Sequence, residues 1–274
     1  MAAGWRPRCR RRLCRRVACA RMERLTNGRE LLDGPLGEPA TLDGNLRDLR
    51  RINRWLGGVA LSAAALDTLT AHRADLTMLD VGTGGADIPV ALARQARTRR
   101  RRLHAVGIDR PEIVSAAQRL HAADDRTDAI ELHVGDGRDL GYADRSFDVA
   151  HASLVLHHLE PPAAVEVLRE MGRVARLGVV VNDVDRTRVG WVGAWLIGHL
   201  LTTNRFTRHD VPLSIRRAYR PQEAAAMLYA AGLRPVRVVR GRFTQRYAIA
   251  AVPSGDAEGD PGDGELPDAI GAGE

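Results

Sequence analysis

The sequence predicts an α/β fold: a mostly parallel seven-stranded sheet with helices on both faces and a C-terminal antiparallel hairpin. Three observations predict it. From about residue 75, short apolar runs alternate with helical patterns, the signature of a parallel sheet with crossover helices. The first run, "TMLDV", leads directly into a glycine cluster at Gly82, Gly84 and Gly85, with Thr83 between them. The last two runs, "PVRVVRG" and "QRYAIAAV", lie close enough in the chain to pair as a hairpin.

The elements follow in order. Leu42, Leu46, Leu49, Ile52 and Leu56 recur every three or four residues, an amphipathic helix ended by Gly57-Gly58. A second helical pattern runs from about Val59 to His72. "TMLDV" (77–81) is the first strand, and Ile88 to Arg97 the helix after it. "LHAVGID" (103–109) is the second strand, and Pro111 opens a helix, as proline does in a first turn. "AIELHV" is the third strand and "FDVAHAS" (147–153) the fourth. Pro161-Pro162 opens the next helix, and "LGVVVND" (177–183) is the fifth strand. After an interruption, Pro221 opens "QEAAAMLYAAG", with Gly232 placed as its C-cap. Together these units read as a Rossmann-like sheet, which binds ligands at the carboxyl ends of its strands near the switch in strand order. The loop at Gly82–Asp87 stands where that switch is expected.

The chain has 274 residues, and all 41 of its Lys and Arg residues are Arg. The absence of Lys excludes a Schiff-base lysine and the Lys-bearing phosphate loop. The net charge of +7 hides two strongly charged ends of opposite sign, and the region between them is only mildly basic, with 33 Arg and 27 acids. Residues 1–21 hold eight Arg and no acid, while residues 253–274 hold seven acids and no base. Both stretches are expected to be disordered tails, and the first reads as a leader or a mis-assigned start ahead of Met22. Residues 22–74 are expected to form an N-terminal helical cap. Residues 75–252 form the main domain, with a helical insertion at 189–218. All three cysteines lie in the leader, so no disulfide framework is expected in the rest. No run reaches the length of a membrane span. The expected location is cytoplasmic.

The glycine loop limits the ligand. A dinucleotide fingerprint, G-x-G-x-x-G, would place its last residue at Asp87, where a carboxylate would face a pyrophosphate. Asp87 is expected instead to cap the following helix. Three acids also stand at strand ends: Asp80, Asp109 and, two residues past its strand, Asp136. They suit a cationic ligand with a ribose diol and an amino-bearing base. S-adenosylmethionine has those groups.

These residues carry a family resemblance. With "LDVGTGGADIP", "VGIDR", "HVGDGRDL", "FDVAHASLVLHHL" and "GVVVND", the chain resembles the class I S-adenosylmethionine-dependent methyltransferases over roughly residues 75–252. The resemblance implies that Asp80, Gly82 and Gly84 form the cofactor loop, with Thr83 and Gly85 in it. It implies that Asp109, beside Arg110, binds the ribose hydroxyls and that Asp136, beside Gly137, serves the adenine side. It places Ser153 near the methionine part. One departure stands out: the family's D-x-G-x-G-x-G pattern expects glycine where this chain has Ala86, and Gly85 is expected to take up the turn. The "LHHL" and "YRPQE" segments look most like bacterial small-molecule methyltransferases near the quinone-biosynthesis and polyketide-tailoring groups.

Methyl transfer to a hydroxyl needs a base, often His. The candidates are His157, in "LVLHHLEPP", and His209, beside Asp210. His158, Trp191, Trp195 and Arg54 are candidates to touch substrate, the two Trp as flat walls and the N-terminal helix as a lid. His151 reads as structural. No metal ligand set is expected. The expected activity is O-methylation of a small phenolic or polyketide-like molecule, with a homodimer left open. The rival readings are C-methylation of a quinone-type precursor, an NAD-dependent oxidoreductase, an inactive cofactor-binding protein and a nucleic-acid-binding protein. The last lacks the aromatic–basic interleaving it would need.

Overall fold

The computed structural model describes residues 22–71, 73–122, 130–241 and 244–255. The Arg-rich leader with its cysteines and nearly all of the acidic tail lie outside the described residues, as does His72. Among the described residues eight α-helices and seven strands follow one another: α1 (Pro39–Trp55), α2 (Gly58–Thr70), β1 (Asp75–Val81), α3 (Asp87–Thr98), β2 (Arg102–Asp109), α4 (Pro111–His121), β3 (Ile130–Val134), β4 (Phe147–Ser153), α5 (Pro161–Val174), β5 (Ala175–Val184), α6 (Arg188–Leu200), α7 (Arg205–Arg217), α8 (Pro221–Ala230), β6 (Leu233–Arg240) and β7 (Arg246–Pro253). No helix among the described residues is long and apolar enough to cross a membrane.

The strands form one sheet in the order β3-β2-β1-β4-β5-β7-β6. The first five are parallel, and β7 runs antiparallel between β5 and β6. The chain moves outward from β1 to β3 and then returns to lay β4 on the other side of β1. That reversal puts the switch point between β1 and β4, where the glycine loop emerges.

The period-two alternation of the strands divides the core in two. Leu79, Val81, Ala150, Ala152, Val179, Val181 and Ile249 pack against Leu168 and Met171 of α5 and Leu228 of α8. Met78, Val149, Val180 and Ala248 face the other way, against Leu61 and Leu66 of α2 and Ile88 and Leu92 of α3. α2 buries apolar residues around most of its circumference, and left-handed Gly57 (φ 72°) turns the chain into it from α1. A third cluster joins Leu42 and Leu46 of α1 to Ile113 and Ala116 of α4 and Phe206 of α7. α1 and α7 thereby lie over the carboxyl ends of the strands. The Asn204 side chain caps α7 by accepting from the backbone N–H groups of Phe206 and Thr207.

Two local expectations are corrected. Asp87 is the first residue of α3 rather than its cap; the cap is Ala86, with φ +54° and no side-chain hydrogen bond. Gly85 does not take up the turn, because the left-handed residues of the loop are Gly82, Gly84 and Ala86 itself.

Candidate active site

A cavity of about 1190 Å³ opens at the switch point. Its floor is the glycine loop, its sides are the ends of β1, β2 and β4, and its roof comes from α1, α6 and α7. Asp80, Gly82, Thr83, Gly84, Gly85, Asp109, Arg110, Asp136, Gly137 and Ser153 all line it. The sequence reading of that end is thus gathered in one place.

The loop is fixed from below. The backbone N–H groups of Gly82 and Thr83 both donate to the Ile108 carbonyl, at 2.9 and 3.0 Å. Thr83 Oγ1 donates to Asp80 Oδ2 at 2.7 Å. A Cβ on Gly82 would stand 2.5 Å from Val155 Cγ2, whereas one on Gly84 would meet nothing within 4 Å. The first glycine is therefore required by packing, and the second leaves open space for a ligand against the main chain. Asp109 accepts the Gly84 N–H at 2.9 Å through Oδ2 and the Arg110 N–H at 2.8 Å through Oδ1. Burial pushes its carboxyl above the usual range, although both N–H groups work against that rise. Asp136 stands at the exposed rim, and its hydrogen bonds from Arg138 lower its pKa.

Beneath the loop runs a buried polar chain. Asp80 and His151 are register partners on β1 and β4, and Asp80 Oδ1 lies 2.6 Å from His151 Nδ1. His151 Nε2 meets Ser62 Oγ at 2.8 Å, and Asn182 Nδ2 donates to the same oxygen at 2.8 Å. Arg246 continues the chain, donating to Asn182 Oδ1 at 3.2 Å and to Asn53 Oδ1 at 2.7 Å. Asn53 Nδ2 then donates to Asp87 Oδ2 at 3.1 Å. Burial lowers the Arg246 pKa to about 10, even though the nearby carboxylates of Asp183 and Asp87 oppose the fall. Ser62, His151 and Asp80 stand in the order of a hydrolytic triad. Ser62 and His151 are nevertheless fully buried outside the cavity, so they brace the loop and have no access to a substrate.

The opposite end of the cavity holds a second cluster. His157 Nδ1 lies 2.7 Å from Asp183 Oδ1. That contact orients the ring and leaves Nε2 toward Glu30 Oε1, 3.9 Å away. Glu30 is buried, and Oε1 has no hydrogen-bond partner. His158 Nδ1 meets Asp33 Oδ1 at 2.6 Å, and Arg217 donates to Asp33 Oδ2 at 2.6 Å. Burial opposes charge on His158, but Glu30 and Asp33 outweigh it and lift its pKa to about 9. Asp33 is also penalised by burial, yet His158 and Arg217 hold it well below the carboxylate range. Ligand atoms of Glu30, His157 and His158 lie within 4.8 Å of one another, close enough to hold a metal. Arg217, 3.6 Å from Glu30 Oε1, and the charged His158 already balance the carboxylates there.

Four candidates fall elsewhere. His209 is half exposed outside the cavity, with Nδ1 2.7 Å from Asp210 Oδ1. Asp210 is occupied in accepting the N–H groups of Leu31 and Leu32, so it holds that turn. Trp191 and Trp195 are on the outer side of α6, while Val189, Gly190, Gly193, Ala194 and Ile197 line the cavity. Arg54 is exposed and does not line it; Leu49, Ile52 and Asn53 of the same helix do, with Leu56 just past its end. The sequence reading also missed Glu30, Asp33, Asp183, Arg217 and Arg246. Only Asp183 carried a signal, as an acid ending an apolar strand.

Comparison with known proteins bears on the fold and the domain. A methyltransferase domain family matches residues 78–178. The demethylmenaquinone methyltransferase of Halalkalibacterium halodurans is 34% identical over 100 residues, 36% of this chain and 39% of that one. The chain thus matches about two fifths of the length of this curated relative. Among solved structures, a SAM dependent methyltransferase from Aquifex aeolicus superimposes with a TM-score of 0.55 at 18% identity, covering 78% of this chain and 97% of its own. The mitomycin 7-O-methyltransferase MmcR gives a TM-score of 0.50 at 22% identity, covering 73% and 56%. Residues 78–178 thus match a methyltransferase domain family, and the sheet order and superpositions give the chain the class I methyltransferase fold.

Proposed function

We propose that the protein transfers the methyl group of S-adenosylmethionine to a hydroxyl of a small phenolic or polyketide-like molecule. One observation carries the reading: a single cavity joins the glycine loop and Asp109 to two buried acceptors, His157 Nε2 and Glu30 Oε1. The residues present fit the cofactor. Gly84 leaves room against the backbone, Asp109 and Asp136 offer acceptors for hydroxyl and amino groups, and Asp80 adds negative charge near a sulfonium. When bound, the cofactor supplies an electrophilic methyl group. The protein's part is to hold the accepting oxygen in line and to remove its proton.

His157 suits the proton acceptor because Asp183 fixes its ring through Nδ1. Val184, Ala194 and Ile197 give the cavity an apolar wall. The likeness to a demethylmenaquinone methyltransferase favours a second class, a quinone-type precursor methylated on carbon.

The test has two stages. S-adenosylhomocysteine is titrated calorimetrically into the protein and into Asp109→Ala, with NAD as the control. Saturable binding that weakens at least tenfold in the variant is expected; binding of NAD alone would overturn the reading. Labelled S-adenosylmethionine with a panel of phenols and quinols then gives the product. An O-methyl ether is expected, with His157→Asn losing turnover and keeping cofactor affinity. A ring-methylated product would transfer the assignment to the second class.

A further inference from the structure

Helix α6 has two apolar sides, and only one is covered. Its inner side lines the cavity. On its outer side Trp191, Val192, Trp195, Leu196 and Leu200 are each between 38% and 72% exposed. Leu201, just past the end of the helix, extends the patch. The Trp195 ring is held in place by stacking on His199, with centroids 4.4 Å apart, and His199 Nδ1 in turn contacts the Trp195 carbonyl. An apolar surface this continuous is a binding surface rather than scattered exposure.

The charge around the patch selects its partner. No acid occurs between Asp185 and Asp210. Arg188, Arg205 and Arg208 are exposed at the ends of the two helices, and none forms an ion pair among the described residues. A second copy docking through the same face would bring Arg188 and Arg208 against their own counterparts, and the stretch between Asp185 and Asp210 supplies no carboxylate to pair with them. An anionic lipid surface complements both parts. Tryptophan seats at the headgroup level, aliphatic side chains enter the acyl boundary, and each basic residue near the leaflet strengthens partitioning roughly fivefold.

We propose that the outer side of α6 docks on an anionic lipid surface, and that an amphiphilic substrate reaches the cavity behind the same helix. The docking surface stands on the patch alone. The substrate class, a phenolic head with an apolar tail, rests on the methyltransferase reading. It follows from a wall one helix thick, narrowed toward the cavity by Gly190, Gly193 and Ala194, where a Cβ at Gly193 would meet nothing within 4 Å.

The test floats the full chain with vesicles of phosphatidylglycerol and phosphatidylcholine, and with phosphatidylcholine alone. The wild type should float with the anionic vesicles, and brominated lipids should quench its tryptophan emission. W191S/W195S should lower the partition coefficient at least tenfold and lose most of the quenching, with unchanged melting and S-adenosylhomocysteine affinity. R188Q/R208Q should weaken binding to anionic vesicles several-fold and keeps the test open if the Trp variant misfolds. Both variants retain the Arg-rich first 21 residues. Equal flotation of wild type and both variants would therefore assign binding to that segment and overturn the proposal. So would a wild-type dimer that the Trp variant converts to monomer without any vesicle binding. Vesicle docking without S-adenosylhomocysteine binding would sink the methyltransferase reading and leave the surface intact.

Discussion

His151 and Asp80 face each other across neighbouring strands, with Nδ1 2.6 Å from Oδ1; His151 is fully buried, and Asp80 is buried at the cavity wall. Without His151, Asp80 keeps only the Thr83 hydroxyl as a side-chain partner among the described residues. His151→Ala should destabilise the fold by about 3 kcal/mol, the cost of leaving a buried charged group without its main partner. Chemical denaturation measures this. A change below about 1 kcal/mol would show that Thr83 alone satisfies Asp80.

The two small residues of the glycine loop should respond in opposite ways. Gly82→Ala puts a Cβ 2.5 Å from Val155 Cγ2 at a φ of +67°, and should abolish S-adenosylhomocysteine binding. Adding Val155→Ala should restore part of it. Ala86 already occupies the left-handed region. Ala86→Gly relieves about 1 kcal/mol of strain and loses a comparable amount to unfolded-state entropy. Its melting midpoint should move by no more than a few degrees.

Asp109 should make cofactor binding sensitive to acid. Burial raises its pKa, and a carboxylate must be ionised to accept from both hydroxyls of a ribose. Affinity for S-adenosylhomocysteine should therefore fall on acidification at a pH above that of an ordinary carboxylate. Calorimetry across that range gives the profile. Asp109→Asn should bind more weakly at every pH and show a flatter curve.

His158 should make stability sensitive to base. Its folded-state pKa of about 9 lies above its ordinary 6.5, so the proton is held more tightly in the folded protein. The stabilisation is complete below about pH 6.5 and is lost as pH rises through about 9. The upper bound is about 3 kcal/mol for such a shift. Unfolding midpoints at pH 6 and 9.5 should differ in the wild type by more than in His158→Asn. Equal slopes would remove His158 from this role.

The sheet was legible because its signals are local. Alternation, opening prolines and left-handed Gly232 at the end of α8 all lie within one element or its flank. Asp80 and Asp109 were legible for the same reason, since Asp109 ends its strand and Asp80 stands one residue before the end of its own. The second cluster was not. Asp33 meets His158 across 125 positions and Arg217 across 184, and no spacing rule spans such gaps. Trp191 and Trp195 misled because α6 is apolar on most sides and so carries no phase. Size decides its orientation: the small residues face the cavity and the large rings face outward.

Strand β7 has a consequence for how the protein is born. It inserts between β5 and β6, and it alone brings Arg246 between Asn53 and Asn182. During synthesis β5 and β6 both precede it and have no neighbour in common until it arrives. A nascent chain halted before residue 246 therefore has two separated sheet edges and an open floor beneath the glycine loop. Ligand capture on the ribosome should be silent for almost the whole of translation and switch on only with this strand.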